Sequence, residues 1–281
     1  MRRRRSAVII TAGLVLAAVA LGAGAVSGRT SDPSAAVPPT PVTDTPTPTS
    51  TATPTPTPLP IFSARPVPTH TVAPVPVPTF NRAKFSIDDP TSIWVVVNKM
   101  RPLNPVNFVP PDLVDVPVPH TNAPQLRQEA SSAVVALFAA ASAEAGLSLA
   151  SNSAYRSYET QVRVYDNDVA ANGQAFADTS TARPGTSEHQ TGLTLDIGAD
   201  SGNCSLNTCF AGTPEGQWLA ANAWRFGFIL RYPADKTAVT GYAFEPWHFR
   251  YIGIELSTEM HHTGVSTLEE FFGLPAAPNY G

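Results

Sequence analysis

Gly185-Thr186-Ser187-Glu188-His189-Gln190-Thr191-Gly192-Leu193-Thr194-Leu195-Asp196-Ile197 is the stretch on which the reading of this chain turns. Leu193 to Ile197 reads as a strand, and Pro184 to Gly192 as the glycine-containing loop that feeds it. His189 and Asp196 stand seven positions apart. An odd offset on one unbroken strand sends two side chains to opposite faces, so they converge only if the chain bends between them. Gly192 is placed to permit that bend.

A second stretch, Phe244-Glu245-Pro246-Trp247-His248-Phe249-Arg250-Tyr251, offers another imidazole with a carboxylate three residues before it. Pro246 interrupts a regular strand there and lets both side chains face one cavity. Two histidines and one carboxylate are a common ligand set for catalytic zinc, which leaves a fourth position for water. Glu245 suits the role of a base that sits beside the metal without binding it. Singly, each residue has a plainer reading: His189 or His248 as a hydrogen-bonded structural histidine, Asp196 as a turn or cap residue. A third element is Tyr155-Arg156-Ser157-Tyr158 with Gln161 on the following turn. A permanently charged, planar guanidinium matches a carboxylate or a developing oxyanion, and equally an ordinary surface ion pair at a helix start.

Outward from these blocks the pattern mixes helices and strands. Ser92 to Val97 is a β-branched and aromatic run read as a strand, after which Pro102, Pro105, Pro110 and Pro111 enforce an irregular path. Ala130, Val134, Leu137, Phe138, Ala141 and Ala145 recur at helical spacing, predicting a helix over Gln125 to Ala145 that Gly146 ends. Further expectations are a strand at Leu147 to Ala150, helices at Tyr158 to Ala171 and Pro214 to Phe226, and a strand at Phe228 to Leu230. Val239 to Tyr251 should add one or two strands, and Thr267 to Phe272 a last helical turn. There is no regular βαβ repetition, so the fold class expected is α+β, a small antiparallel sheet with packed helices. Trp218, Trp224, Phe226 and Phe228 read as core, and the adjacent His261 and His262 as surface residues.

Composition sets the domain plan. Of 281 residues 29 are proline, crowded toward the N-terminus, and the net charge of −4 gives no reason to expect a nucleic-acid partner. Arg2 to Arg5 followed by the apolar run Ala7 to Val26 reads as a signal peptide or membrane anchor over 1–29. Residues 30–79 read as a disordered Pro/Thr-rich spacer, and 80–281 as one domain large enough to bury its own core. Cys204 and Cys209 can close a short disulfide in an oxidising compartment.

The blocks Ser153 to Tyr158, Gly185 to Asp196 and Glu245 to Tyr251 together resemble the signature blocks of the D-alanyl-D-alanine carboxypeptidases of the VanY type. These zinc peptidases are related to lysostaphin-like enzymes and the hedgehog domain. The resemblance implies that His189, Asp196 and His248 ligate Zn2+ and that Glu245 is the catalytic base. It implies that Arg156 stabilises the oxyanion or holds the substrate's terminal carboxylate, with Ser187 and Gln161 lining the substrate site; Trp247, next to a candidate ligand, and Tyr155 are further candidates for substrate contact. The implied substrate is a peptidoglycan stem peptide losing its C-terminal D-alanine outside the cytoplasm, near a membrane if residues 1–29 are retained. Within the same chemistry the alternatives are an L,D-carboxypeptidase or a peptidoglycan endopeptidase. From another class the alternative is a non-catalytic cell-wall-binding module. The sequence departs from the family pattern at Thr194 and Ala154, where small Ala and Gly are usual.

Overall fold

The computed structural model describes residues 80–281. The segment and spacer expected at 1–29 and 30–79 lie outside the described residues, and no helix among those described is long and apolar enough to cross a membrane. In chain order come β1 (Leu113–Asp115), β2 (Gln125–Arg127), α1 (Gln128–Ala145), β3 (Leu149–Ser153), α2 (Tyr158–Asn172) and α3 (Gln174–Ser180). They are followed by β4 (Thr194–Ala199), α4 (Pro214–Asn222), β5 (Phe228–Leu230), α5 (Thr237–Thr240), β6 (His248–Tyr251), α6 (Ile254–Thr263) and α7 (Leu268–Phe272). The main sheet is antiparallel with strand order β3-β4-β6-β5, and β1 and β2 form a separate antiparallel pair. The fold is α+β, as expected.

Alternation along β4 divides the molecule into a dry side and a chemical side. Leu195 and Ile197, with Leu193 just before the strand, join Ala130, Val134, Leu137 and Ala141 of α1 in one buried apolar cluster. Asp196 therefore points to the other face, because successive strand residues alternate. The helical spacing read in α1 is that of its buried stripe. Its start lies three residues later than expected, because Gln125 to Arg127 pair with β1 instead. Gly146, at φ 66°, ends it.

Ser92 to Val97 is not a strand. Its side chains do alternate, with Trp94 and Val96 entering a second cluster alongside Leu256, Met260 and Phe271 while Val95 and Val97 enter the first. Its carbonyls, however, are met by guanidinium groups: Arg250 donates to Ile93 O (3.2 Å) and Val95 O (2.8 Å), and Arg101 to Val96 O (3.2 Å). Backbone acceptors satisfied by side chains need no ladder. Further differences are α3 and α6, which the pattern did not predict, and Val239, which lies in α5 and not in a strand. Trp218, Trp224 and Phe226 pack partly exposed, while Phe228 is fully buried; His261 and His262 are exposed, and His261 stacks on Trp224 at 4.0 Å.

Under the sheet lies a quartet of buried charges. Arg231 donates twice to Glu269 (2.9 and 2.7 Å) and once to Glu188 (2.9 Å), while Arg250 donates to the same Glu188 oxygen at 2.9 Å. Asn98 adds a bond to Glu269 at 2.9 Å. Two guanidiniums against two carboxylates leave no net charge in the interior, and removing one partner strands another. Glu269→Ala is accordingly expected to lose about 3–5 kcal/mol of stability, roughly 10 °C in the thermal midpoint, checked by calorimetry.

Candidate active site

The sheet register brings the first two candidate ligands together: Asp196 of β4 lies directly across from His248 of β6. His189 arrives from a single 3-10 turn, Glu188–Thr191, which closes on Gly192 in the left-handed conformation at φ 67°. A Cβ there would also press on Leu113 (2.8 Å), so the bend calls for glycine on both counts. The turn aims His189 back over β4. Its Nε2 lies 3.5 Å from Asp196 Oδ2, and His248 Nδ1 lies 3.3 Å from Asp196 Oδ1. One donor atom from each of the three residues falls within 4.8 Å of the others, all three side chains being buried.

This constellation fits zinc. Tetrahedral ligands about 2.0–2.1 Å from a zinc ion stand roughly 3.3 Å from one another, close to the two measured separations. Asp196 Oδ1 is buried with no hydrogen-bond partner, an acceptor a cation would satisfy. His189 Nδ1 is hydrogen-bonded to Ala154 O at 2.7 Å, which directs Nε2 inward.

The electrostatics point the same way. Burial would raise the Asp196 carboxyl, but the two imidazoles outweigh it and hold it well below the usual range. Burial lowers His189. It would lower His248 as well, yet the facing carboxylates of Asp196 and Glu188 win and lift His248 to about 9. A pocket that pulls a proton onto an imidazole so strongly also attracts a divalent ion.

Glu245 is set apart from Asp196 by its surroundings. Its Oε2 is 3.4 Å from His248 Nδ1, and burial, opposed by His248, pushes its carboxyl up to about 7. A carboxylate poised there exchanges protons near neutral pH.

Arg156, Gln161, Ser187, Trp247 and Glu245 line a cavity of about 220 Å³ together with the triad. Tyr155 is not brought to it. Arg156 is anchored by bonds from one amino group to Gln161 Oε1 (2.9 Å) and from the other to Ser153 Oγ (3.0 Å), and it forms no ion pair among the described residues. A larger apolar cavity of about 290 Å³ beside α4 and α6 has no carboxylate in its walls.

Residues 123–254 match the family VanY, D-alanyl-D-alanine carboxypeptidase. The carboxypeptidase candidate YodJ of Bacillus subtilis (strain 168) is 42% identical over 192 residues, spanning 66% of this chain and 69% of its own length. The chain belongs to the VanY family. Among solved structures, the LD-carboxypeptidase LdcB superposes with a TM-score of 0.61 at 41% identity, over 66% of this chain and 87% of that one. The vancomycin-resistance D,D-pentapeptidase VanY from a VanB-type cassette, in complex with Zn(II), superposes at 0.53 with 38% identity, over 63% and 97%. This chain is therefore a peptidase of the VanY type.

Within this VanY-family site, reading the sequence passed over Glu188, Val164, Leu206, Tyr232 and Tyr242. Glu188 is the most consequential. Its Oε1 is held by Arg231 and Arg250, while its Oε2, otherwise without a partner, faces His248 Nε2 at 3.6 Å. That placement orients the His248 ring so that Nδ1 faces Asp196. Only the identity of Arg231 and Arg250 as buried partners could have signalled it. Glu188→Gln is expected to weaken zinc binding roughly 10- to 100-fold in a chelator competition and, by leaving the buried quartet with a net positive charge, to lower the thermal midpoint while native circular dichroism persists below it.

Proposed function

We propose that this VanY-family enzyme is a zinc-dependent D,D-carboxypeptidase that removes the C-terminal D-alanine of peptidoglycan stem peptides. The observation that carries the reading is Arg156: a half-buried guanidinium without a carboxylate partner, in the wall of the cavity that holds the triad and Glu245. Burial lowers its pKa, opposed by the nearby Asp196 and Glu245, yet it stays cationic at any working pH. A peptide's terminal carboxylate is its natural complement, and a bidentate contact would fix the scissile bond over the metal ligands.

His189, Asp196 and His248 would hold the zinc, which supplies Lewis-acid polarisation of the scissile carbonyl and a nucleophile available at neutral pH. Glu245 accepts the proton of the attacking water and returns it to the departing amine, the task to which its raised pKa is matched. Ser187 and Gln161 line the walls beside Arg156, and Gln161 is itself fixed by a bond to Ala182 O at 2.7 Å. Trp247 borders the same cavity as an apolar surface for the peptide. A substrate in the cell wall accords with a domain at 80–281 carried on an export segment and a proline-rich spacer at 1–29 and 30–79, the enzyme acting outside the cytoplasm.

The likeness to the LD-carboxypeptidase LdcB, at the higher TM-score and identity, favours one second reading: removal of D-alanine from tetrapeptide stems. Incubation with pentapeptide and tetrapeptide muropeptides, followed by mass spectrometry, separates the two. Release from the pentapeptide alone is the expected result, and chelator should abolish it. Glu245→Ala is expected to keep zinc bound, by metal analysis, and to lower kcat at least about 100-fold. Turnover that survives this change rules out the assigned base.

A further inference from the structure

Leu206 is a wall of the same cavity that neither metal binding nor proton transfer accounts for. It is 49% exposed, whereas His189, Asp196 and His248 are at most 5% exposed. It therefore stands at the mouth. It belongs to the loop closed by the Cys204–Cys209 disulfide. Among the described residues, Cys204 (φ 54°) and Leu206 (φ 51°) are the non-glycine residues at positive φ.

A leucine in the left-handed region costs roughly 1–2 kcal/mol, a cost that glycine avoids. The loop is over-determined enough to sustain it. Besides the disulfide, Asn207 N–H donates to Cys204 O (3.2 Å), Ser205 N–H to Gly202 O (3.2 Å), and Cys209 N–H to Asn207 Oδ1 (3.1 Å). The backbone gains nothing from a side chain at this position, and half of that side chain meets water. What an apolar group held there under strain can serve is a ligand.

We propose that Leu206 is a specificity-determining residue that contacts the methyl and methylene groups of the stem peptide upstream of the scissile bond, with the disulfide loop as its rigid mount. This rests on the carboxypeptidase reading above. A carboxypeptidase substrate has one residue beyond the cut, ending in the charge assigned to Arg156. All the rest of the peptide leaves through the mouth, where Leu206 stands. Trp247, in the same cavity, is also apolar, so the departing chain has two apolar neighbours.

The test compares the zinc-loaded wild type with Leu206→Gly, Leu206→Ser and Leu206→Met on a pentapeptide stem and on a short N-acetylated D-Ala-D-Ala. For the glycine and serine variants, KM for the pentapeptide should rise about 5- to 10-fold, the worth of half a leucine side chain, with kcat little changed. The short substrate should show no such loss, and Leu206→Met should restore the long one. Thermal midpoint should not fall in Leu206→Gly, since glycine relieves the strain. Equal kinetics for wild type and both variants on the pentapeptide overturns the proposal. So does an equal loss on both substrates with a lowered midpoint, which marks a structural residue. Wild type inactive on both substrates instead overturns the carboxypeptidase reading, and this proposal with it.

Discussion

Everything in the site leans on the Glu188 carboxylate. It is wholly buried, and burial alone would favour its neutral form; Arg231 and Arg250, helped by His248, hold it well below the usual carboxylate range. Its charge is the point of contact between two systems. One oxygen closes the quartet with Arg231, Arg250 and Glu269, and the other faces His248. The quartet gathers parts of the chain that are far apart in sequence: the turn before β4, the residue after β5, strand β6, helix α7 and, through Asn98 and the carbonyls of Ile93 and Val95, the irregular N-terminal segment. A displacement of any of these would leave a buried charge uncompensated, so the interior fixes the His248 ring as a by-product of balancing its own charges.

With that ring fixed, the three nearby carboxylates divide their roles by environment rather than by type. Asp196 sits between two imidazoles and is held ionised, the state that the proposed metal ligation requires. Glu188 is ionised too, but one of its oxygens is taken up by Arg231 and Arg250. Glu245 has weaker compensation: His248 and Arg156 stabilise its charge while Asp196 and Glu188 oppose it, and burial carries its pKa to about 7. Acid-base assignment in catalytic sites commonly follows from environments that push similar groups apart in this way.

Much of this was legible in the sequence, for identifiable reasons. The bend needed between His189 and Asp196 follows from the two-residue period of a strand, and Gly192 supplies it. The helix at α1 follows from its apolar spacing, and the antiparallel sheet from the absence of βαβ repetition. What was not legible depends on contacts between distant residues. Ser92 to Val97 has the composition of a strand and the side-chain alternation of one, but Arg250 and Arg101 occupy its carbonyls. No local pattern announces that. Gln125 to Arg127 look like the first turn of α1 until β1 claims them. Glu188 lies beside the candidate ligand His189 and is invisible as a functional group until its two arginines are found beneath it. Leu206 was equally silent, since a lone leucine in a polar loop has no signal of its own and acquires one only from its backbone angle and its place at the cavity mouth.

Arg156 gives the cavity a direction. An endopeptidase must accept chain on both sides of the cut, and a guanidinium in its cleft would have to be neutralised by the protein itself or left to water. Here Arg156 uses one amino group on Gln161 and the other on Ser153, neutral partners that hold the plane of the fork without discharging it. Gln161 is pinned in turn by Ala182 O, so the fork has little freedom to turn away. Asp196 and Glu245 act on its charge only from a distance, and among the described residues no carboxylate pairs with it directly. A half-buried positive charge kept rigid and unpaired costs stability unless something anionic completes it. The end of a peptide carries such a group and its middle does not, so under the proposed function Arg156 favours terminal bonds over internal ones.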